Sequence, residues 1–343
     1  MSKKEIRVLI LGGAGYEGRQ CTRYLTNRGA TVVGATGRNN NIGEDIGELA
    51  GIGPIGVKLE KREDLVDVIE RTKPDIAVHC TDDFHLILPD VKACLARAVN
   101  SIVLGAAGIY PFIEFPKESA ELDALAKESG VSVIGLGVQD VNHINEPLVM
   151  SSNCQEIESI YGENLVLLEY CGPAESELMG IGLTEVEYFD MHKDDLTPPN
   201  AMTYALYLLA DELDLHVTGE RNLRREPILA DEDFTHSACG TITKGLVLGQ
   251  AVGAELTTEE GITLTAKFIW SYAQHGEGSY QLWRFKGDPD FEIMTPDSRG
   301  DVSTSAAVAN RLAEVISARP GYITVKDLPK PQFKVKPLPE YLD

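Results

Sequence analysis

Gly13-Ala14-Gly15-Tyr16-Glu17-Gly18 fits the spacing G-x-G-x-x-G, and Gly12 extends it by one. Glycine at these places lets the chain turn tightly and lets backbone approach a ligand where a Cβ would intrude. An apolar run precedes the motif and a helix pattern follows it, so the turn presents free N–H groups and the positive end of a helix to an anion. The chemistry this suits is cradling the pyrophosphate of a dinucleotide, with Gly12, Gly13, Gly15, Tyr16, Glu17 and Gly18 around it. The second expected strand ends in Ala35-Thr36-Gly37-Arg38-Asn39-Asn40, and no acid follows until Glu44. An acid there holds the ribose hydroxyls of NAD, whereas Thr36, Arg38 and Asn39 suit a 2′-phosphate. NADP(H) is the expected cofactor, with NAD(H) as the alternative. Thr81 and Gly105, the latter followed by Ala106, end the next two strands and are expected to line the nicotinamide side.

A nicotinamide enzyme also needs a group that protonates or polarises the atom next to the carbon that takes the hydride. Asp140, Asn142 and His143 follow the sixth expected strand, where a second domain should begin. His143 or Asp140 could move the proton, and Asn142 could fix the substrate or the carboxamide. The same residues would serve equally as a solvated hinge with capping roles. Tyr170 and Tyr110 could donate an O–H, although each reads as well as a packed tyrosine. Lys193, in His192-Lys193-Asp194-Asp195, is a further titratable candidate whose simpler reading is a solvated helix end, and His275, in a glycine-rich loop, reads either as a subunit contact or as the rim of a pocket.

These residues need a scaffold. Ile6–Leu11 is a nearly unbroken apolar run, as in a strand buried on both faces. A helix stopping at Gly29 and a strand over Thr31–Ala35 complete one βαβ unit. Helices over Glu63–Thr72, Leu88–Ala98 and Lys117–Ser129 alternate with strands over Asp75–His79, Ser101–Leu104 and Val131–Ile134. This alternation predicts a Rossmann-like, doubly wound parallel sheet over 1–137. Beyond it, Ser159–Tyr170 and Gly261–Ser271 read as strands and Pro198–Leu215 as a helix with an apolar stripe. They predict an α+β substrate and dimerisation domain with an open mixed sheet over 138–303. The rest, 304–343, predicts a helix over Thr304–Ala318 and a proline-rich surface tail that returns to the first domain.

The 343 residues exceed what one core usually serves, in keeping with two domains. The net charge of −22, from 53 acidic and 31 basic side chains, disfavours nucleic acid and anionic membranes as partners. No apolar run reaches the roughly 20 residues of a membrane helix. The six cysteines, at 21, 80, 94, 154, 171 and 239, form no C-x-x-C pair and no zinc-like cluster. They read as reduced thiols of a cytoplasmic protein without a metal.

The motifs together resemble the dihydrodipicolinate reductase-like superfamily, and within it the NAD(P)H-dependent amine dehydrogenases and 2,4-diaminopentanoate dehydrogenases. The glycine turn, ending in Gly18-Arg19, is similar to that of the reductases. Leu178–Thr184 with Glu187-Tyr188 resembles V-G-x-G-L-T-x-x-E-F of the amine dehydrogenases. Gly245, Gly249 and Gln250 resemble a G-x-V-x-G-x-x-Q stretch. Gly300-Asp301, Thr304, Ala309-Asn310, Arg319–Tyr322 and Asp327–Pro329 resemble a C-terminal signature of the family. The resemblance covers nearly the whole chain. It implies hydride transfer between a nicotinamide and a small carbonyl or imine, in a homodimer.

Three segments depart from it. Paired glutamates of the amine dehydrogenases are replaced by Ala106-Ala107, N-P-G-F by Gln139–Asn142, and G-H-V-G-L by Pro199–Met202. An ammonia-independent carbonyl reductase and a non-catalytic NADP-binding sensor therefore stand beside reductive amination as readings.

Overall fold

The computed structural model describes residues 5–170, 173–193, 199–297 and 299–342. The chain divides into two compact units. Unit 1 comprises Met1–Asn145 with Gly300–Asp343, and unit 2 comprises Glu146–Arg299. The first boundary thus falls after Asn145 rather than near 137.

Unit 1 opens with β1 (Arg7–Leu11), α1 (Tyr16–Asn27) and β2 (Thr31–Gly37). Then come α2 (Ile46–Leu49), β3 (Leu59–Lys61), α3 (Leu65–Thr72), β4 (Ile76–His79) and α4 (Phe84–Leu95). It continues with β5 (Asn100–Val103), α5 (Pro116–Ser129) and β6 (Ser132–Gly135), and then π-helical turns over Gln139–Asn145. Val8, Leu9 and Ile10 are fully buried, as a central parallel strand requires. α4 starts earlier than its apolar pattern suggests, because Asp83 caps it by accepting from the Leu86 N–H at 3.0 Å. Pro116 opens α5, and Gly130 ends it in the left-handed conformation.

Unit 2 holds α6 (Glu146–Ser151), β7 (Glu156–Leu167), α7 (Pro173–Leu178), α8 (Glu185–Met191) and α9 (Ala201–Glu212). The strands β8 (Val217–Asn222), β9 (Glu226–Leu229), β10 (Phe234–His236) and β11 (Gly240–Ile242) follow. The last are β12 (Val247–Thr258), β13 (Thr263–Ser271), β14 (Tyr280–Asp288) and β15 (Phe291–Pro296). Its main sheet runs β15-β14-β7-β13-β12-β8, with β9 also paired to β12. β7 and β13 are parallel and the other pairs antiparallel, so the sheet is mixed. Met202, Leu206 and Leu209 of α9 cover one face, packing on Ile160, Leu264 and Trp283.

The chain then returns to unit 1 with α10 (Gly300–Ile316) and β16 (Gly321–Tyr322). The completed parallel sheet has the order β16-β6-β5-β4-β1-β2-β3, doubly wound as expected. The tail is more than a surface strap. Lys334 and Leu338 are buried, and the Leu338 N–H donates to the Arg28 carbonyl at 2.8 Å.

Candidate functional site

The glycine turn is pinned to the neighbouring strand, since the Gly12 and Gly13 N–H groups donate to the Thr36 carbonyl at 2.9 and 3.0 Å. Gly12 has φ +83°, and a Cβ there would lie 2.9 Å from the Cys80 carbonyl oxygen. A Cβ on Gly18 would meet the Gly12 oxygen at 2.4 Å and the Gly13 Cα at 2.8 Å. Helix and turn therefore close on each other only because these residues are glycine. No side chain caps α1 at Gly15, so its positive end is left for an anion. A dinucleotide pyrophosphate fits this cradle.

At the carboxyl ends of β1, β2 and β4 lies a narrow cavity of about 30 Å³, lined by Thr36, Arg38, Arg62, His79, Thr81 and Asp90 among others. Arg38 is exposed at its mouth and pairs with no acid among the described residues. Arg62 is a part the sequence reading missed. Its Nε meets Asp90 Oδ2 at 2.7 Å, and its Nη2 donates to the Leu86 carbonyl. His79 is fully buried, 3.3 Å from Ser101 Oγ through Nε2, and its Nδ1 has no partner. Burial, and then the charge of Arg62, hold its pKa down at about 3, so the ring is neutral. The cavity's positive charge therefore comes from the two arginines. A run of charges around Lys61-Arg62-Glu63 gave no signal in the sequence that one of them turns inward.

Thr36 is buried beside this cavity, and Asn39 is exposed in the turn beyond β2. Gly105 is a close-approach position, because a Cβ there would lie 2.4 Å from the Asp82 carbonyl oxygen. The Ala106 N–H is taken by Asp82 Oδ1 at 3.1 Å. Tyr16 is 56% exposed and accepts from Gln20 Nε2 at 2.8 Å.

The polar cluster after β6 takes a form the sequence did not suggest. Arg311 of α10 donates from Nε to Asp140 Oδ2 at 2.6 Å and from Nη2 to Oδ1 at 3.0 Å. Both side chains are 1% exposed. Asn145 Nδ2 adds a bond to Asp140 Oδ1 at 2.9 Å. Arg311 also pairs with Glu314 at 2.6 Å, and Glu314 with Lys334, so four charges of net zero are enclosed in unit 1. Asp140 is thus held in an internal ion pair. His143 is also buried, neither ring nitrogen has a partner, and burial depresses its pKa to about 3. The ring is therefore neutral and shielded from solvent. Asn142 alone of the three is part-exposed.

The side chain of Tyr170 lies outside the described residues, as do Asp194 and Asp195. Lys193 is exposed and pairs with Asp190 at 3.0 Å. His275 is exposed, 3.0 Å from Asp231, whose hydrogen bond raises its pKa. Tyr110 packs edge-on against Phe112 with centroids 5.2 Å apart.

Residues 6–135 match the family described as dihydrodipicolinate reductase, N-terminus, and 146–340 match the 2,4-diaminopentanoate dehydrogenase C-terminal domain. The chain is 29% identical to the 2,4-diaminopentanoate dehydrogenase of Acetoanaerobium sticklandii, covering 96% of this chain and 95% of that protein. It is 35% identical over 132 residues to the 4-hydroxy-tetrahydrodipicolinate reductase of Methanocaldococcus jannaschii, which is 38% of this chain and 46% of that one. The amine dehydrogenase of Mycobacterium smegmatis superposes with a TM-score of 0.86 at 27% identity, covering 96% and 98% of the two chains. Fold, phosphate turn and relatives together define an oxidoreductase of the dihydrodipicolinate reductase-like class that uses a nicotinamide cofactor. More narrowly, the chain belongs to the 2,4-diaminopentanoate dehydrogenase family.

Proposed function

We propose that this enzyme is an NADP(H)-dependent amine dehydrogenase that interconverts a small carbonyl compound and its primary amine, with ammonia as co-substrate. The observation that carries the reading is similarity that runs from the phosphate turn through the whole of unit 2, at 96% of the chain, to a relative named for an amine substrate. The nicotinamide, when bound, gives or takes the hydride.

The residues of this chain bind and orient. Gly12, Gly13, Gly15 and Gly18 with the start of α1 hold the pyrophosphate. Arg38, exposed and paired with no acid among the described residues, takes the 2′-phosphate, with Thr36 and Asn39 beside it. Thr81, Gly105 and Ala106 form the wall at the strand ends. Asn142 holds the carboxamide or the substrate. Asp140 and His143 keep the π-helical turns in shape.

Ala106 and Ala107 favour a second reading, an ammonia-independent carbonyl reductase, because no carboxylate stands there to order an amine. The two are separated by following NADPH oxidation over a panel of ketones and aldehydes with and without ammonium. Turnover only with ammonium supports the dehydrogenase, and equal turnover without it overturns that reading. The assembly we expect is a cytoplasmic homodimer built on the sheet face turned away from α9. That face carries Tyr161, Glu163 and the 58%-exposed Met294. Sedimentation velocity tests it.

A further inference from the structure

Unit 2 contains a carboxylate that the roles above do not use. Glu169 lies just beyond the carboxyl end of β7, in the short turn Leu168–Tyr170. The N–H of Ala273, two residues past β13, donates to its Oε1 at 2.8 Å. That bond fixes the direction of the group. The other oxygen, Oε2, is shielded from solvent and has no hydrogen-bond partner. No lysine, arginine or histidine among the described residues pairs with it.

Among the described residues, nothing around this group neutralises it. Leu168, Met179 and Tyr272 form an apolar cluster, with Trp270 and Cys239 packed against it. The Tyr272 hydroxyl is engaged with Ser176 Oγ at 2.9 Å. Burial chiefly, with the charge of Glu169 adding to it, keeps both Tyr272 and Cys239 in their neutral, protonated forms. A carboxylate with one oxygen dry and unpaired is costly unless a cation completes it.

We propose that Glu169 Oε2 is the anchor of an ammonium subsite, binding the ammonium ion or the protonated amine of the substrate. This rests on the amine dehydrogenase reading and gives it the carboxylate that Ala106 and Ala107 do not supply. The ligand class follows from size and charge. One shielded oxygen beside apolar and hydroxyl groups suits a compact N–H donor with a small alkyl body. The acidic chain, at −22, draws such a cation in.

The test is Glu169→Gln in the full-length protein. Gln retains an acceptor for the Ala273 N–H while removing the charge. Losing a hydrogen bond to a charged group corresponds to a rise of about 10- to 100-fold in KM for ammonium. KM for NADPH should stay the same, and the melting temperature should hold or rise, because an uncompensated charge has gone. An unchanged KM for ammonium in a folded Glu169→Gln overturns the proposal, and so does a large fall in melting temperature with uniform loss of all activities. If the wild type shows no ammonium-dependent turnover, the amine dehydrogenase reading fails by itself. Calorimetric titration with propylammonium chloride against sodium chloride then decides the subsite. Binding by the wild type that Glu169→Gln abolishes sustains it, and no binding by the wild type overturns it.

Discussion

Replacing Asp140 by Asn separates a framework role from a chemical one. In the wild type, two guanidinium nitrogens of Arg311 meet the two carboxylate oxygens at 2.6 and 3.0 Å, with both side chains 1% exposed. Breaking a buried pair from one side costs about 3–5 kcal/mol, since the remaining charge stays behind. Glu314 still faces Arg311 at 2.6 Å, and Asn can accept one of the two lost bonds, so the low end, about 3 kcal/mol, applies. For a unit of this size each kcal/mol moves the midpoint about 2–4 °C, giving a fall of about 6–12 °C. The assay is calorimetry alongside NADPH turnover measured well below the transition. Turnover per folded molecule should hold within about twofold, whereas loss of a proton-transfer group costs about 10²–10⁴-fold. A double variant, Asp140→Leu with Arg311→Met, should lose less stability than either single change. A steep loss of turnover with an unmoved midpoint would refute the framework role and restore Asp140 as the proton handler.

Arg38→Ala should raise Kd for NADPH about 10- to 100-fold, the worth of a charge-assisted hydrogen bond, and leave NADH within about twofold. Equal losses for both cofactors, by fluorescence titration, would remove Arg38 from the 2′-phosphate. Gly18→Ala places a methyl 2.4 Å from the Gly12 oxygen, so binding of both dinucleotides should be lost together while unit 2 stays folded. Binding by Gly18→Ala at wild-type strength would show that the turn is not the cradle. His79 and His143, each held at about 3 in the folded state, stay neutral there while the unfolded chain takes up protons below about 6.5. Their contribution is present above pH 6.5 and is lost as pH falls towards 3, at up to about 1.4 kcal/mol per pH unit for each ring. His143→Leu should flatten that slope in urea titrations between pH 6.5 and 4.5, and an unchanged slope would contradict its burial as a neutral ring.

The parallel sheet was legible because its strands are buried on both faces and write themselves as apolar runs, as in Val8–Leu11. The phosphate turn was legible because the sterics at Gly12 and Gly18 admit no other residue. Short pieces escaped. β3 has three residues and β16 two, too few for any periodicity, and tertiary pairing alone makes them strands. Arg62 and Arg311 escaped for a related reason. A charged residue on a helical face reads as solvated, and only its distant partners, Asp90 and Asp140, turn it inward. Asp140 and His143 were noticed as an unusual polar group, but spacing cannot tell an enclosed ion pair from a working acid. Glu169 stood in an apolar strand end without any motif around it, and its meaning lies in an oxygen that nothing bonds.

Unit 1 is written in two instalments, with all of Glu146–Arg299 inserted between them. Asp140 and Arg311 are separated by 171 positions, which the ribosome covers in about 10–30 s at 5–20 residues per second. During that interval the edge of β6 has no β16 beside it, and an acid destined for the interior has no counter-charge. Unit 2, contiguous in the chain, can finish first and leave the tunnel as a folded bead. The parallel sheet of the cofactor-binding unit is therefore completed only after unit 2 has been made, when β16 arrives beside β6.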